Sequence, residues 1–191
     1  MSIKKIQPRF FVLLAFIVAA GILRVTTAGQ ITAISNFSPV GAMALFGGAY
    51  FSDKWKSYVF PLLTMFLSDL LIMKIYFPEM STGPLYDGWY WNYLAIASIV
   101  LCGQFIIRKV SIGNLVIASV AAAVTHWLIS DFGLWRSSVS MYTHDFKGLI
   151  ECYVAAIPFM RNMFIGNIVF GALMFFSFEY AKAKYPVLAQ Q

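Results

Sequence analysis

The sequence predicts an all-α integral membrane protein, a bundle of six transmembrane helices with both termini in the cytoplasm. Composition is the first reason: 60% of the 191 residues are apolar and 12% charged, with a mean hydropathy of +0.75, where a soluble domain carries about a quarter charged residues. The second is that the apolar residues come in runs of roughly 15 to 20 rather than at amphipathic spacing. The third is that these runs lack period-two alternation, which excludes a β-barrel and leaves helices to satisfy the backbone in lipid. Residues 1–191 read as a single transmembrane domain.

The first span is expected over Phe10 to Leu23, led by Lys4, Lys5 and Arg9 and closed by Arg24. The second runs from near Asn36 to Phe51 and is rich in small residues, among them Gly41, Gly47 and Gly48. The third covers Tyr58 to Phe77, interrupted by Asp69 and by Lys74, which is near enough to the end to snorkel. The fourth follows from Trp89 to Ile107, the fifth from Ile112 to Ile129, and the sixth from Pro158 to Phe178, with Pro158 suited to a first helical turn. Ser130 to Ile157 and Pro78 to Gly88 then form the heavier loops, while Ser52 to Ser57 and Arg108 to Ser111 are tight turns.

Basic residues set the orientation. Lys4, Lys5, Arg9, Lys54, Lys56, Arg108, Lys109, Lys182 and Lys184 share one side of a six-span chain, and Arg24, Lys74, Arg136 and Lys147 the other. The net charge of +6 therefore reads as topology rather than nucleic-acid binding. Trp89, Tyr90, Trp91 and Tyr93 suit an outer interfacial belt. A rival reading takes the basic start, the apolar run and Thr26-Thr27-Ala28 as a signal peptide leaving a chain that starts at Gly29. Arg24, between the run and that site, counts against it.

Asp69 is the most informative position, because an acid within an apolar span costs a few kcal/mol and calls for a partner. Arg161, one turn into the sixth expected span, lies at a similar depth and is the expected partner. Asn36, Asp69, His126, Asp131, Arg161 and Asn162 all map to the outer half, and Trp127 and Trp135 add aromatic surface there. The expectation is an outward-facing pocket bordered by Asn36, Asp69, His126, Trp127, Asp131 and Arg161 and sized for a small organic molecule. The bland alternative is an interfacial belt with structural polar contacts. Cys102 and Cys152 show neither metal nor disulfide spacing, and the chain carries no Walker loop, zinc motif, nucleophile elbow or obvious repeat. No cofactor is expected.

Asn36-Phe37-Ser38-Pro39-Val40-Gly41-Ala42, with Leu45 through Phe51, resembles the signature of a poorly characterised family of small bacterial membrane proteins. Gly148 through Tyr153, with Ile157-Pro158-Phe159, resembles it also. The six spans, inside termini and heavier outer loops are similar in architecture to the substrate-binding S components of energy-coupling-factor vitamin transporters. That resemblance implies an outward pocket for a vitamin or cofactor precursor. It also implies a face on the first helix, here Ala15 and Ala19, that docks a transmembrane coupling subunit working with ATPases.

The resulting expectation is a non-enzymatic solute-binding and transport subunit in the bacterial inner membrane, with a small-molecule ligand, lipid and a coupling complex as partners. Two other classes compete with it. A secondary transporter would couple to protons through Asp69 or His126. A membrane-embedded enzyme would use His126 with Asp69 or Asp131 as acid and base.

Overall fold

Each long apolar run folds as one helix, and the polar or proline-bearing segments between them set the turns. The computed structural model describes residues 8–28, 35–78, 85–138 and 140–189, and among these no strand occurs. Lys4, Lys5, Gly29 and most of the connection from Pro78 to Gly88 lie outside the described residues. The helices are α1 (Pro8–Thr27), α2 (Val40–Tyr50), α3 (Lys54–Tyr76), α4 (Trp89–Ile106), α5 (Ile112–Arg136) and α6 (Phe146–Lys184), followed by a 3₁₀ turn at Pro186–Leu188. Five of them are long and apolar enough to cross a membrane. The protein is a multi-pass helical membrane protein.

The second apolar segment departs from the sequence expectation. α2 has only 11 residues, about 16 Å at 1.5 Å per residue, or half the thickness of a bilayer core. Asn36 turns the chain into it with a φ of 67°, a left-handed conformation that asparagine accepts more readily than most residues. Pro39 occupies the cap position, and the first helical bond runs from the Met43 N–H to the Pro39 carbonyl at 2.8 Å.

α2 is apolar on every side and buried at every position but Ala49, as a helix enclosed by others must be. It touches all five other helices. Glycines let α4 approach it backbone to backbone: a Cβ on Gly48 would meet the Val100 carbonyl, and one on Gly103 the Leu45 carbonyl. Phe46 meets Tyr50 edge-on at 4.8 Å and Phe175 at 5.3 Å, and Tyr50 meets Phe178 at 4.5 Å.

The sixth expected span also needs correction. α6 begins at Phe146 rather than Pro158, and α5 continues to Arg136, so the long loop expected from Ser130 to Ile157 contracts to residues 137–145. Asp145 caps the new start by accepting from the Gly148 N–H at 2.7 Å, and Pro158 sits in the helix interior. The added turns are held against the end of α5. Trp127 Nε1 donates to the Tyr153 carbonyl at 3.1 Å, and the Tyr153 hydroxyl donates to the Leu128 carbonyl at 2.8 Å.

The helices alternate in direction, which gives the bundle two distinct ends. At one, Arg9 donates to the Tyr50 carbonyl at 3.0 Å, the Tyr50 hydroxyl to Glu179 at 2.6 Å, and Gln104 to Ser57 at 2.8 Å. Pro8 and Leu188 both belong to this end, where α1 touches the 3₁₀ turn. At the other end stand Arg24, the start of α2, and the facing ends of α3, α4, α5 and α6.

Candidate solute cavity

Because α2 is only half-length, the space that a further two or three turns would fill is taken by the turn at residues 35–39 and by a cavity of about 100 Å³. Its polar wall comes from Arg24, Asn36, Ser38, Asn92 and His126. Val40, Met65, Ile96 and Met163 supply the apolar remainder. The turn is pinned from α6, where the Asn162 amide donates to the Ser35 carbonyl at 3.0 Å. The N-terminus of α2 thus presents its positive dipole end beside the cavity.

Behind the wall runs a layer of hydrogen bonds that joins four helices. Arg24 Nη2 meets Asp69 Oδ1 at 2.5 Å, its Nη1 donates to Ser68 Oγ at 2.6 Å, and the Tyr93 hydroxyl donates to Asp69 Oδ2 at 2.9 Å. The Asp69 side chain is 2% exposed and that of Arg24 17%. The Asn92 amide donates to the Tyr86 hydroxyl at 2.8 Å, and its Oδ1 faces His126 Nε2 at 2.9 Å. Ser130 Oγ lies 3.2 Å from the other ring nitrogen. Burial, with the Asp69 charge adding to it, pushes the Tyr86 hydroxyl up to about 12, so it stays a neutral hydrogen-bonding group.

The residues expected from sequence divide three ways. Asn36 and His126 line the cavity, and Asp69 stands one layer back, behind Arg24. Trp127, Asp131 and Arg161 lie off the wall. Trp127 meets Tyr153 edge-on with ring centroids 5.0 Å apart. Asp131 accepts from Ser130 at 3.4 Å, and its carbonyl receives the Cys152 thiol at 3.4 Å.

The expected Asp69–Arg161 pair does not form, since the Asp69 partner is Arg24. α3 packs on α1, α2 and α4, whereas Arg161 is exposed on α6. The early start of α6 puts it some four turns into that helix rather than one.

Arg24, Ser38 and Asn92 were not among the expected site residues. Arg24 reads as the flank of the first apolar run, yet α1 continues a turn past it. Asn92 reads as one polar residue in an aromatic belt. In both cases the signal is a hydrogen-bonding residue inside a helix rather than beyond its end.

Fold and cavity together define a polytopic helical membrane protein with a half-helix at its centre and a polar pocket at the head of that half-helix. The chain belongs to a family of unknown function, DUF6580, which matches residues 4–188. No curated protein and no solved structure matches it.

Proposed function

We propose that the protein is a membrane-embedded solute-binding subunit that takes up a small organic molecule through the cavity at the Arg24 end. One observation carries the reading: a half-length buried helix stops short of a polar pocket whose donors and acceptors come from α1, α4, α5 and the turn before α2. A bundle built only for stability would fill that gap with apolar side chains, because even a paired and bonded polar group in the interior is no more stabilising than well-packed apolar residues. At about 100 Å³ the pocket suits a solute of a few heavy atoms or the polar head of a larger one. A vitamin or cofactor precursor, the class the resemblance to S components suggests, would need the walls to part, since drug-sized ligands occupy roughly 300–1,000 Å³.

Ala15 and Ala19 are exposed on α1, as a face docking a coupling subunit with its ATPases would be. In this reading the cavity opens outward from the cytoplasmic membrane of a bacterium. A second reading, a self-contained secondary transporter, draws on the same half-helix, because such proteins bind substrate at interrupted helices.

Two measurements test the proposal. A thermal-shift screen of small polar metabolites, vitamins and cofactor precursors should give a hit worth about 2.7 kcal/mol at a hundredfold excess over Kd, diminished by His126→Ala and Asn92→Leu. No hit across a broad panel would overturn the binding reading. Co-purification of a membrane subunit with ATPases supports the coupled form, and solute uptake by the chain alone in proteoliposomes supports the second reading.

A further inference from the structure

Two side chains in the core, fully buried, have no hydrogen-bond partner among the described residues: Asn167 of α6, at both its amide nitrogen and oxygen, and Ser119 of α5 at its hydroxyl. Buried polar atoms are almost always bonded, and an asparagine in a membrane core with both ends idle is costly, so their position matters. Asn167 is one helical turn below Met163 on the same face of α6, and Met163 and Val40 are both cavity-wall residues. Its carboxamide lies against Gly41, the residue after Val40, at a spot that a Cβ would fill. Ser119 is seven residues, or two turns, below His126 of the cavity wall on the same face of α5. Register places the two at the same level of the bundle. α5 and α6 run antiparallel, Leu115 packs on Gly171, and one turn nearer the cavity on each helix come Ser119 and Asn167.

We infer that Asn167 and Ser119 form a second, inner binding position below the cavity, past Met163, that takes an uncharged group able both to donate and to accept hydrogen bonds, such as a hydroxyl or carboxamide of the solute. The chemistry follows from the donors present. A carboxamide and a hydroxyl offer both polarities, and neither balances an ion's charge. The outer cavity carries one cation, Arg24, already neutralised by Asp69, so no net charge awaits a counter-ion along the descent. The glycine at position 41 keeps the carboxamide beside the α2 backbone; a side chain there would displace it. The inner position rests on the proposed role of the cavity and narrows it to a neutral polar solute.

The test uses the purified full chain in detergent and three probes of nearly equal size, acetamide, acetate and methylammonium, with saturation-transfer NMR titration and thermal melting as readouts. Acetamide should bind tightest. Asn167→Leu should weaken it about tenfold, the loss of two hydrogen bonds, and Ser119→Ala should weaken it less. Both empty variants should melt at or above the native temperature, because each removes an idle polar group from the core. Unchanged acetamide affinity in Ser119→Ala and Asn167→Leu would overturn the inner position. So would a lowered melting temperature in Ser119→Ala, or tighter binding of either charged probe. If Asn92→Leu weakens acetamide while the two core variants do not, the cavity stands and only the inner position falls. If no probe binds the native chain, both fall.

Discussion

Arg24 and Asp69 are each a poor choice for an apolar helix, and each becomes tolerable through the other. Removing one partner of a buried pair strands the remaining charge, at a cost of about 3–5 kcal/mol. Asp69→Asn should therefore unfold the bundle at lower temperature, and Asp69→Asn with Arg24→Met should recover much of the loss. A double-mutant cycle by thermal or denaturant melting measures the coupling, whereas Asp69→Asn with Arg161→Met should give additive effects. Exposed Arg161 serves as the control because sequence depth alone made it the candidate partner. Asp69 announced itself in the sequence because it interrupts an apolar run. Its partner did not, because a cation at the edge of a run looks like any flanking residue until the length of the helix is known. His126 was legible for the same reason as Asp69. Asn167 was not, since nothing around it in the sequence says that it lacks a partner.

At the scale of elements, the ends of helices decided what was readable. α3, α4 and α5 start close to where their apolar runs start, and the start of α5 is capped by Ser111, whose hydroxyl accepts from the Asn114 N–H at 3.2 Å. The start of α6 is hidden because Pro158 suits the first turn of a helix and so points to a loop before it. Lys147 and Glu151 are instead one turn apart on the same helix, 3.7 Å from each other. The true start is set by Asp145, whose carboxyl is held below its ordinary 3.8 by the Gly148 N–H and the Thr143 hydroxyl. A carboxyl depressed on folding stabilises the first turn fully above 3.8 and loses that contribution as pH falls through its lower folded value. Hydrogen exchange at the Gly148 amide, corrected for intrinsic rate, should show protection that is steady from neutral pH to 3.8 and declines below it. Asp145→Asn should flatten that pH dependence; an unchanged profile would remove Asp145 from the cap.

On the scale of the whole molecule, composition and run length gave the class of fold, since a chain with 12% charged residues has no other way to solvate its surface. They did not give the inequality among the helices. A run of apolar residues from Asn36 to Phe51 has the same appearance whether it forms a full span or a turn followed by half a helix. Basic residues gather at the end that carries Arg9, Lys54, Lys56, Arg108 and Lys184, so the positive-inside rule predicts that this end faces the cytoplasm. Single cysteines placed at Lys56 and Arg108 should stay unlabelled by an impermeant thiol reagent in intact cells, and one at Arg136 should react. The opposite pattern would invert the topology and turn the cavity to the cytoplasm.

The brevity of α2 also bears on how the chain is made. Insertion into a bilayer is decided segment by segment, and a helix of 11 residues falls well short of the roughly 20 that partition on their own. Its five neighbours carry enough apolar length to enter lipid independently; α2 does not, and every backbone bond it forms is shielded by those neighbours rather than by lipid. Its place in the membrane is therefore secured by packing among its neighbours rather than by its own partitioning into lipid. The pocket at its head draws its wall from every helix of the bundle, so it exists only where the tertiary packing is complete.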